Sequence, residues 1–385
     1  MPRLMTPQSA LSAQAHYAHV SRVLIVGGGP AGAVAALRLA RHGWGVTLVE
    51  QHTFPRDKVC GECLSHTGIE TLRQLGLAGA LDRAGAIRLD RVILHDADGH
   101  AVAIPLPRAC AGISRRRMDD LLLRAAAEAG AEIRQPARCE RLARHPTAAT
   151  VRDLRTNRIE TLSADVILLA DGKGAFRDDR PPPTGDLGIS AHFVDVDGPR
   201  DAVELFALDG HYVGLNPVEE GAWNLAMSVP AERVRRLGAN LDDLLAGMMR
   251  QNRSLRRRLE GATRLTRWLA SPLPRFGVGR CATADGVIPI GNAAAAIEPI
   301  GGEGMGLAMR SALLAADAIE SARSADRRLS CDQLIAPFGH LWRRRAIACR
   351  AAAKILSRPS LAHPALALLS AHPSLQTAIL RVIGK

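Results

Sequence analysis

Three glycines close to the start of the chain have the spacing that best defines a chemical task. Residues 23–32 read V-L-I-V-G-G-G-P-A-G, and a second apolar run ends V-T-L-V-E at Glu50. Gly27 would form a tight turn after a strand, Gly29 would let the backbone approach a pyrophosphate, and Gly32 would let a helix pack on the strand. The pattern predicts a strand, a turn, a helix and a second strand that bind the ADP part of a dinucleotide.

The residues around this turn complete the predicted binding site. A helix beginning near Pro30 and Ala31 would direct its positive N-terminal end at the diphosphate. Glu50 lies 23 positions after Gly27, close to the spacing of about 20 expected for a carboxylate that binds the ribose hydroxyls. We therefore include Pro30, Ala31, Glu50 and the adjacent Gln51 in the site. A purely structural glycine turn is the alternative, and the agreement of strand, turn, helix and acid argues against it.

Composition excludes several classes of protein. The chain has 385 residues, which predicts about two domains. It carries a net charge of +12, yet aromatic residues make up only 3% and are not interleaved with the basic clusters. Platforms for stacking nucleic-acid bases are therefore not expected, and no nucleic-acid partner is predicted. No stretch reaches the roughly 18 uninterrupted apolar residues of a membrane span. Residues 1–20 have no signal-peptide pattern and are expected to form a loose extension.

The cysteines favour a reducing compartment. Seven are scattered along the chain without zinc-finger spacing, so we predict a cytoplasmic protein without a metal site. Cys60 and Cys63 form a C-x-x-C sequence, which leaves a redox pair open as an alternative. We expect backbone and packing roles for this segment before thiol chemistry.

Four later segments distinguish among the dinucleotide-binding folds. Residues 60–65 read C-G-E-C-L-S, and residues 114–121 read S-R-R-R-M-D-D-L at the start of an amphipathic helix. Residues 164–172 form a buried strand that ends in D-G. Residues 288–306 read I-P-I-G-N-A-A-A-A-I-E-P-I-G-G-E-G-M-G before an Ala/Leu-rich helix.

These five motifs, in this order, resemble those of FAD-dependent oxidoreductases. The resemblance is to p-hydroxybenzoate hydroxylase-like monooxygenases, flavin halogenases and especially geranylgeranyl reductase-like proteins, and it covers about residues 22–322. It implies an α/β fold, with a Rossmann-like (GR2-type) FAD-binding domain, an inserted β-rich substrate domain and a helical C-terminal extension. The implied limits are residues 21–90, 110–180 and 275–325 for the FAD domain, 91–109 and 181–274 for the substrate domain, and 326–385 for the extension.

The resemblance also assigns roles to residues. Arg115 would contact FAD, and Asp171 with Gly172 would lie between FAD and an approaching nicotinamide donor, NADPH or NADH. The remaining residues implied to bind FAD are Gly291, Asn292, Gly302, Gly304 and Met305. Asn292 stands where the family usually has aspartate. An amide loses the charge-assisted strength of a carboxylate, roughly a factor of two per hydrogen bond, so weaker FAD binding is an open alternative.

No catalytic residue is assigned, but candidates for lining the active site are Cys60, Gly61, Glu62, Tyr212 and Trp223. The last two lie in alternating runs typical of a β-rich domain. Aromatic residues in a sheet also belong to its core, which is the competing interpretation. Trp223 is followed by N-L-A-M-S-V-P, not by the W-x-W-x-I-P pattern of flavin halogenases.

The last segment, residues 326–385, is predicted to be helical. Pro359, Pro364 and Pro373 are expected to divide it into short helices. We favour packing on the protein's own core. Closure over the substrate pocket and contact with the inner membrane surface are the alternatives.

The function that we predict is oxidation–reduction of a hydrophobic small molecule in bacterial secondary metabolism. The enzyme would use NAD(P)H and O2 to hydroxylate or epoxidise an aromatic or polyketide-like substrate, as a monomer or homodimer. Hydride transfer to an isoprenoid double bond is the main alternative. A halogenase and a non-catalytic flavin-binding protein are lesser ones.

Overall fold

The computed structural model describes residues 21–144, 147–172, 176, 185–274, 276–278, 286–324 and 331–383. The predicted extension at residues 1–20 lies outside them. The strands are β1 (Arg22–Val26), β2 (Gly45–Val49), β3 (Cys63–Leu64), β4 (Ile87–His95), β5 (Ala101–Gly112), β6 (Glu132–Arg134), β7 (Ala137–Arg144), β8 (Thr147–Asp153), β9 (Ile159–Ser163), β10 (Val166–Leu169), β11 (Asp186–Val194), β12 (Ala202–Leu208), β13 (His211–Pro217), β14 (Trp223–Pro230), β15 (Thr263–Arg264), β16 (Leu269–Pro272), β17 (Gly277–Val278), β18 (Val287–Pro289) and β19 (Ala295–Ala296).

Helices alternate with these strands in the first part of the chain and dominate its end. They are α1 (Pro30–Arg41), α2 (His66–Gln74), α3 (Ala78–Arg83), α4 (Arg115–Glu128), α5 (Ala231–Arg236), α6 (Leu241–Gln251), α7 (Arg253–Leu259), α8 (Gly304–Ser324), α9 (Cys331–Leu356), α10 (Pro359–Ala371) and α11 (Pro373–Ile383). The predicted α/β fold with a helical C-terminal region is confirmed.

A parallel sheet in the order β18-β10-β1-β2-β6 is the centre of the first domain. Ile25 on β1 lies opposite Leu48 on β2 and Leu168 on β10, and all three side chains are fully buried. The nearly continuous apolar sequence of these strands is typical of a parallel sheet covered on both faces. Helices α1, α4 and α8 supply many residues of the largest apolar cluster, together with strands of this sheet.

The second large sheet has nine strands in the order β15-β11-β14-β13-β12-β4-β5-β3, with β16 also paired to β11. Its hairpin of β4 and β5 spans Ile87–Gly112 and is therefore wider than the 91–109 segment assigned to the substrate domain. One face packs on α5, α6 and α7 through a separate apolar cluster. The domain limits themselves stay a prediction.

The C-terminal segment differs from expectation at one proline. Pro359 and Pro373 begin α10 and α11 as predicted, but Pro364 lies inside α10 and does not end it. Pro364 removes the hydrogen bond to the carbonyl of Ser360. Both residues are exposed, so water can satisfy that carbonyl at the helix surface.

Candidate cofactor and substrate site

The predicted cofactor residues meet at the carboxyl edge of the parallel sheet. The glycine turn follows β1, Glu50 follows β2, Asp171 and Gly172 follow β10, and Gly291 follows β18. Because neighbouring parallel strands all end at this edge, segments more than two hundred residues apart in sequence are adjacent here. Ligands of open α/β sheets bind at this edge.

The glycine turn has the geometry that the spacing predicted. Gly27 has φ +110°, and a Cβ there would lie 2.5 Å from the carbonyl oxygen of Ala170. A Cβ on Gly32 would collide with the carbonyl oxygen of Gly27. A Cβ on Gly29 would meet only the Arg115 guanidinium, at 3.9 Å. The first and last glycines are therefore required by packing, whereas the middle one leaves a cradle open to a ligand.

Helix α1 presents its N-terminus to that cradle. Gly29 is its N-cap residue and provides no side-chain cap, and Pro30 is the first helical residue. The amide groups of the first turn therefore lack a side-chain acceptor, which is the arrangement that binds phosphate. Ala31 is buried, and its Cβ lies 2.9 Å from the position of a Cβ on Gly291.

Glu50 is held at the rim of the turn. Its Oε2 accepts a hydrogen bond of 2.8 Å from the amide of Gly28, and its Oε1 accepts one of 2.8 Å from the amide of His52. The residue is only 6% exposed. The carboxylate is thus oriented before any ribose binds, while the adjacent Gln51 is exposed.

Arg115 occupies the first turn of α4 beside the glycine turn. Its Nε and Nη2 donate hydrogen bonds of 2.9 and 2.5 Å to the two carboxylate oxygens of Asp119. Burial alone would lower the pKa of Arg115, but the charge and hydrogen bonds of Asp119 outweigh burial and raise it. The guanidinium therefore stays charged and fixed, as a cofactor contact requires.

Two further cations approach the same region. Arg56 lies 3.9 Å from Glu50, and the Nζ of Lys58 lies 3.9 Å from the position of a Cβ on Gly172. Burial, and next the positive charge of Arg115, lower the pKa of Lys58 to about 8. A bound diphosphate would relieve this repulsion, so the cations fit an anionic ligand at the turn.

The segment after β18 supplies the other wall. Gly291 has φ +60°, and its amide donates a 2.8 Å hydrogen bond to the Ser311 hydroxyl. Asn292 is exposed, so its amide is open to a ligand. Gly302 has the left-handed φ of +62° that ends a short 3-10 helix, and α8 begins two residues later. Gly304 has open space on its Cβ side, and the next residue, Met305, is buried.

The loop of residues 60–62 joins the two domains through Glu62. Glu62 is 2% exposed and has a left-handed φ of +50°, a conformation that costs free energy unless its surroundings hold it. Its Oε1 accepts a 2.8 Å hydrogen bond from the amide of Arg115. Its Oε2 shares a 2.6 Å hydrogen bond with Nε2 of His192 on β11.

The pKa values of this pair are shifted upward. Burial raises the pKa of Glu62 above its ordinary value, although the hydrogen bond from His192 opposes it. Burial alone would lower the pKa of His192, but the hydrogen bond and charge of Glu62 outweigh it and raise that pKa. The pair therefore retains a proton to higher pH than either side chain would alone.

The rest of the loop is held by backbone contacts. The carbonyl of Cys60 accepts a 3.0 Å hydrogen bond from the side-chain amide of Asn224 on β14. Burial raises the pKa of the Cys60 thiol, which disfavours the nucleophilic thiolate. Gly61 has open space on its Cβ side, and Cys63 is buried on β3. A structural role for Cys60 agrees with this placement.

The two aromatic candidates lie in different places. Tyr212 is on the face of the nine-stranded sheet that meets the FAD domain, and its hydroxyl donates a 2.7 Å hydrogen bond to Glu298. Trp223 is 1% exposed in the apolar cluster on the opposite face. Its ring packs on Gly198, where a Cβ would lie 2.6 Å away. The expected pocket-lining role of Trp223 is therefore wrong, because side chains alternate between faces and its face is the core.

The sequence did not reveal His192 or Asn224 as site residues. Both lie in alternating runs that predict strands, but nothing marks their partners, which are 130 and 164 positions away in the chain. One sequence signal could have found them. Along each strand the apolar residues occupy alternate positions, and His192 and Asn224 lie at the positions between them, which face the other side of the sheet.

The fold and this edge define a protein that binds a dinucleotide at the end of a parallel sheet. A family model described as "FAD binding domain" matches residues 20–237. The chain belongs to this family and is an FAD-dependent oxidoreductase. The open cradle at Gly29, the uncapped α1 and the cluster of cations fit FAD.

Relatives and solved structures agree with this assignment. A menaquinone reductase of Mycolicibacterium smegmatis is 27% identical over an alignment of 333 residues that covers 79% of this chain and 77% of the relative. A 1H-pyrrole-2-carbonyl-(peptidyl-carrier protein) brominase of Pseudoalteromonas luteoviolacea is 26% identical over 319 residues, covering 78% of this chain and 77% of the relative. The structure of a geranylgeranyl bacteriochlorophyll reductase-like protein of Thermoplasma acidophilum matches with a TM-score of 0.75 at 20% identity, over 95% of this chain and 96% of that one. That likeness shows the fold.

Proposed function

We propose that this flavoenzyme takes electrons from NADPH or NADH and uses O2 to hydroxylate or epoxidise a hydrophobic aromatic or polyketide-like molecule in bacterial secondary metabolism. The observation that carries the proposal is the hydrogen-bonded pair of Glu62 and His192. The pair lies where the substrate sheet meets the loop beside the cofactor edge, and it can accept or release a proton there.

The face of the sheet that carries His192 is suited to a small organic substrate. Gly214 and Ala226 lie side by side on β13 and β14, so this part of the face carries small residues. Asn224 and Tyr212 lie on the same face and contact the FAD-domain loop and Glu298, respectively. A few oriented polar groups around small apolar residues are typical of pockets for hydrophobic ligands.

FAD, when bound, supplies the redox chemistry, and the protein's part is to bind, orient and move protons. Nε2 of His192 is engaged by Glu62. Among the described residues, no group bonds to Nδ1, so this atom is available to a substrate hydroxyl. Removal of a phenolic proton by Nδ1 makes the ring richer in electrons. Glu62 would stabilise the imidazolium that forms, as a carboxylate does for histidine bases generally.

The electron donor is expected to bind transiently. The sequence has one glycine fingerprint of the dinucleotide type, at residues 27–32, and FAD accounts for it. The nicotinamide donor would therefore approach the edge near Asp171 and Gly172, without a dinucleotide fold of its own.

A second function is favoured by a specific observation. The relatives also include a digeranylgeranylglycerophospholipid reductase of Methanothrix thermoacetophila, 28% identical over 323 residues, which supports reduction of an isoprenoid carbon–carbon double bond as the alternative. In that reaction His192 would give a proton to the carbon next to the one that receives hydride. Halogenation is not proposed, because Trp223 lies in the core and lacks the halogenase sequence around it.

The test begins with the absorption spectrum of the purified protein. We expect flavin bands that bleach with NADPH or NADH and return in air. Phenolic and polyprenyl compounds would then be added with and without O2. Substrate-dependent incorporation of oxygen supports a monooxygenase, and anaerobic reoxidation by a polyprenyl compound supports the reductase. A protein that takes up FAD and shows neither reaction would contradict both.

The non-catalytic alternative has its own measurement. If Asn292 weakens FAD binding, the Asn292→Asp variant should bind FAD about tenfold more tightly, because a carboxylate accepts stronger hydrogen bonds. Titration of apoprotein with FAD measures this. Failure of both proteins to take up FAD would show that the chain is not a flavoenzyme.

A further inference from the structure

The end of the chain has an unusual distribution of charge. No Asp or Glu occurs between positions 333 and 385, although the whole chain has 38. The basic residues of this segment are Arg343, Arg344, Arg345, Arg350, Lys354, Arg358, Arg381 and Lys385. The segment is therefore electropositive along its whole length, without acidic partners of its own.

The same segment also exposes large apolar side chains. Among the described residues, nine large hydrophobic side chains are exposed, and five of them belong to α9, α10 and α11. These five are Ile347, Leu361, Leu368, Ile379 and Val382, with exposed fractions of 72%, 42%, 51%, 37% and 48%. Scattered exposed hydrophobic residues need no explanation, but a concentration in one segment does.

Helical spacing places these residues on continuous faces. On α10, Leu361, Pro364, Leu368 and Ala371 are all exposed and are spaced i, i+3, i+7 and i+10, which is one side of a helix. On α11, Ala378, Ile379 and Val382 are exposed together. Neither face carries an acidic residue.

The opposite faces fasten this segment to the protein. Leu366 and Leu369 of α10 and Leu380 of α11 pack against Val102 and Ile104 of β5. The helices are therefore already packed on the protein through their other faces. Their exposed apolar faces point outward and are not needed for that packing.

Helix α9 contributes the basic part of the surface. Arg343, Ile347, Arg350 and Lys354 follow each other at i, i+4, i+7 and i+11, and all are exposed. Arg350 also donates a 2.7 Å hydrogen bond to the carbonyl of Phe276, which fixes its side chain at the protein surface.

We propose that the exposed faces of α9, α10 and α11, here called the tail surface, bind an anionic lipid bilayer. Apolar side chains enter the interface, and the basic residues contact the acidic head groups. Positive charge without acidic residues favours such a bilayer over a second copy of this basic chain.

The helices are suited to lying in the interface. No single described helix is long and apolar enough to cross a membrane, and α10 and α11, which pass that test only together, are bent by 113° at their junction. At 1.5 Å per residue they are about 20 and 17 Å long, short of the roughly 30 Å hydrocarbon core.

The tail surface is next to the candidate site. Leu356 of α9 and Ala362 of α10 belong to the same apolar cluster as Tyr212. A Cβ on Gly301 would lie 2.6 Å from the Sγ of Cys349 and 3.2 Å from Ile383. The helices that would contact lipid therefore also form a wall of the region between the domains. Such a position would let a hydrophobic substrate pass from the bilayer to the site. That role rests on the proposed function, whereas lipid binding itself does not.

The test uses the full-length protein and sedimentation with vesicles. We expect binding to vesicles that contain phosphatidylglycerol, weaker binding to phosphatidylcholine alone, and weakening by salt. The double variant Leu368→Glu with Ile379→Glu should bind at least about tenfold more weakly, since two apolar contacts become acidic. The variants Arg343→Ala and Lys354→Ala should each weaken binding about fivefold.

A matched control distinguishes binding by the tail surface from non-specific binding through any exposed apolar side chain. The double variant Leu237→Glu with Leu265→Glu changes side chains that are 41% and 59% exposed elsewhere, and it should bind vesicles like the native protein. FAD content and melting temperature show whether each variant is folded. Absence of native binding to anionic vesicles, or equal loss in the control, would overturn the proposal.

Two further results would decide between explanations. Suppose that the native protein is a dimer that does not bind vesicles, and that Leu368→Glu with Ile379→Glu makes it a monomer in lipid-free solution. The tail surface would then be an interface between two copies of the chain, and the proposal would be overturned. Vesicle binding that persists when no NAD(P)H-dependent turnover is found would support the tail surface while contradicting the proposed function.

Discussion

The two faces of the nine-stranded sheet are built from the same strands but differ in the contacts that their side chains make. On one face, Ile189, Phe193, Val213 and Trp223 form an apolar cluster closed by α6 and α7. On the other, His192, Tyr212 and Asn224 form hydrogen bonds to residues of the FAD domain. Alternation of side chains along a strand makes this separation possible. The comparison teaches that alternate residues of one strand can serve different roles: those on one face stabilise the core, and those on the other face contribute to the candidate site.

The largest expected effect tests the apolar face. Trp223→Ala should lower the free energy of unfolding by about 3–5 kcal/mol, because a fully buried ring leaves a cavity that the sheet cannot close. Urea unfolding measures the change. The control is Trp268→Ala, which removes the same side chain from a partly exposed position and should cost much less. Equal losses in the two variants would contradict the assignment of Trp223 to the core.

The opposite face should respond in activity more than in stability. His192→Gln keeps a donor for Glu62 but cannot exchange a proton, so kcat should fall about a hundredfold at unchanged FAD content. Initial rates and flavin absorbance measure both quantities. Ser190→Ala, on the same strand and face, is the control and should retain activity. A His192→Gln enzyme with native kcat over the whole pH range would exclude a proton-transfer role.

A smaller effect is expected at the contact between this face and the segment before α8. Tyr212→Phe removes the hydroxyl that donates to Glu298 and should cost about 1–2 kcal/mol, because a half-buried acceptor loses its partner. A double-mutant cycle with Glu298→Ala, which removes the acceptor, measures the coupling free energy. Additive losses in urea unfolding would show that this hydrogen bond contributes nothing to stability.

The smallest expected effect is a dependence of stability on pH. The pKa values of Glu62 and His192 are both raised in the folded protein, so the folded state holds more protons than the unfolded state. Their contribution is therefore present below the ordinary pKa values of 4.5 and 6.5 and is lost as pH rises through the folded values. Asp57 and Glu219 lie nearby and raise the pKa of His192 further.

The measurement compares the native protein with the double variant Glu62→Gln and His192→Gln in urea at several pH values. The stability difference should fall as pH rises above these ordinary pKa values. A difference that is flat or rises over this range would contradict the shared proton.

Local physics explains what the sequence could predict. The glycine turn, the helix after it and Glu50 depend on neighbours within about thirty positions, and steric rules for glycine apply there directly. Arg115 also lies at the predicted helix start. The glycine turn, Glu50, Asp171 and Gly291 each follow a strand of the parallel sheet, which is why motifs far apart in sequence meet at one edge.

The contacts between domains could not be predicted in this way. The hydrogen bond between Glu62 and His192 depends on a left-handed backbone at Glu62, which no sequence rule assigns to glutamate. Trp223 was misassigned because an aromatic residue in a strand fits either face, and only the complete sheet shows which face is covered. Pro364 is tolerated within α10 because the carbonyl of Ser360, which loses its helical donor, is exposed to water. That exposure depends on how the helix packs on the rest of the protein.

The order of strands in the parallel sheet has a consequence for synthesis on the ribosome. β1 is made early, but β18 and the helix α8 that packs on α1 come near the end of the chain. At roughly 5–20 residues per second, the roughly 260 residues between β1 and β18 take about 15–50 s to emerge. During translation the nascent FAD domain therefore has an unpaired β10 edge and an uncovered α1 until β18 and α8 have emerged.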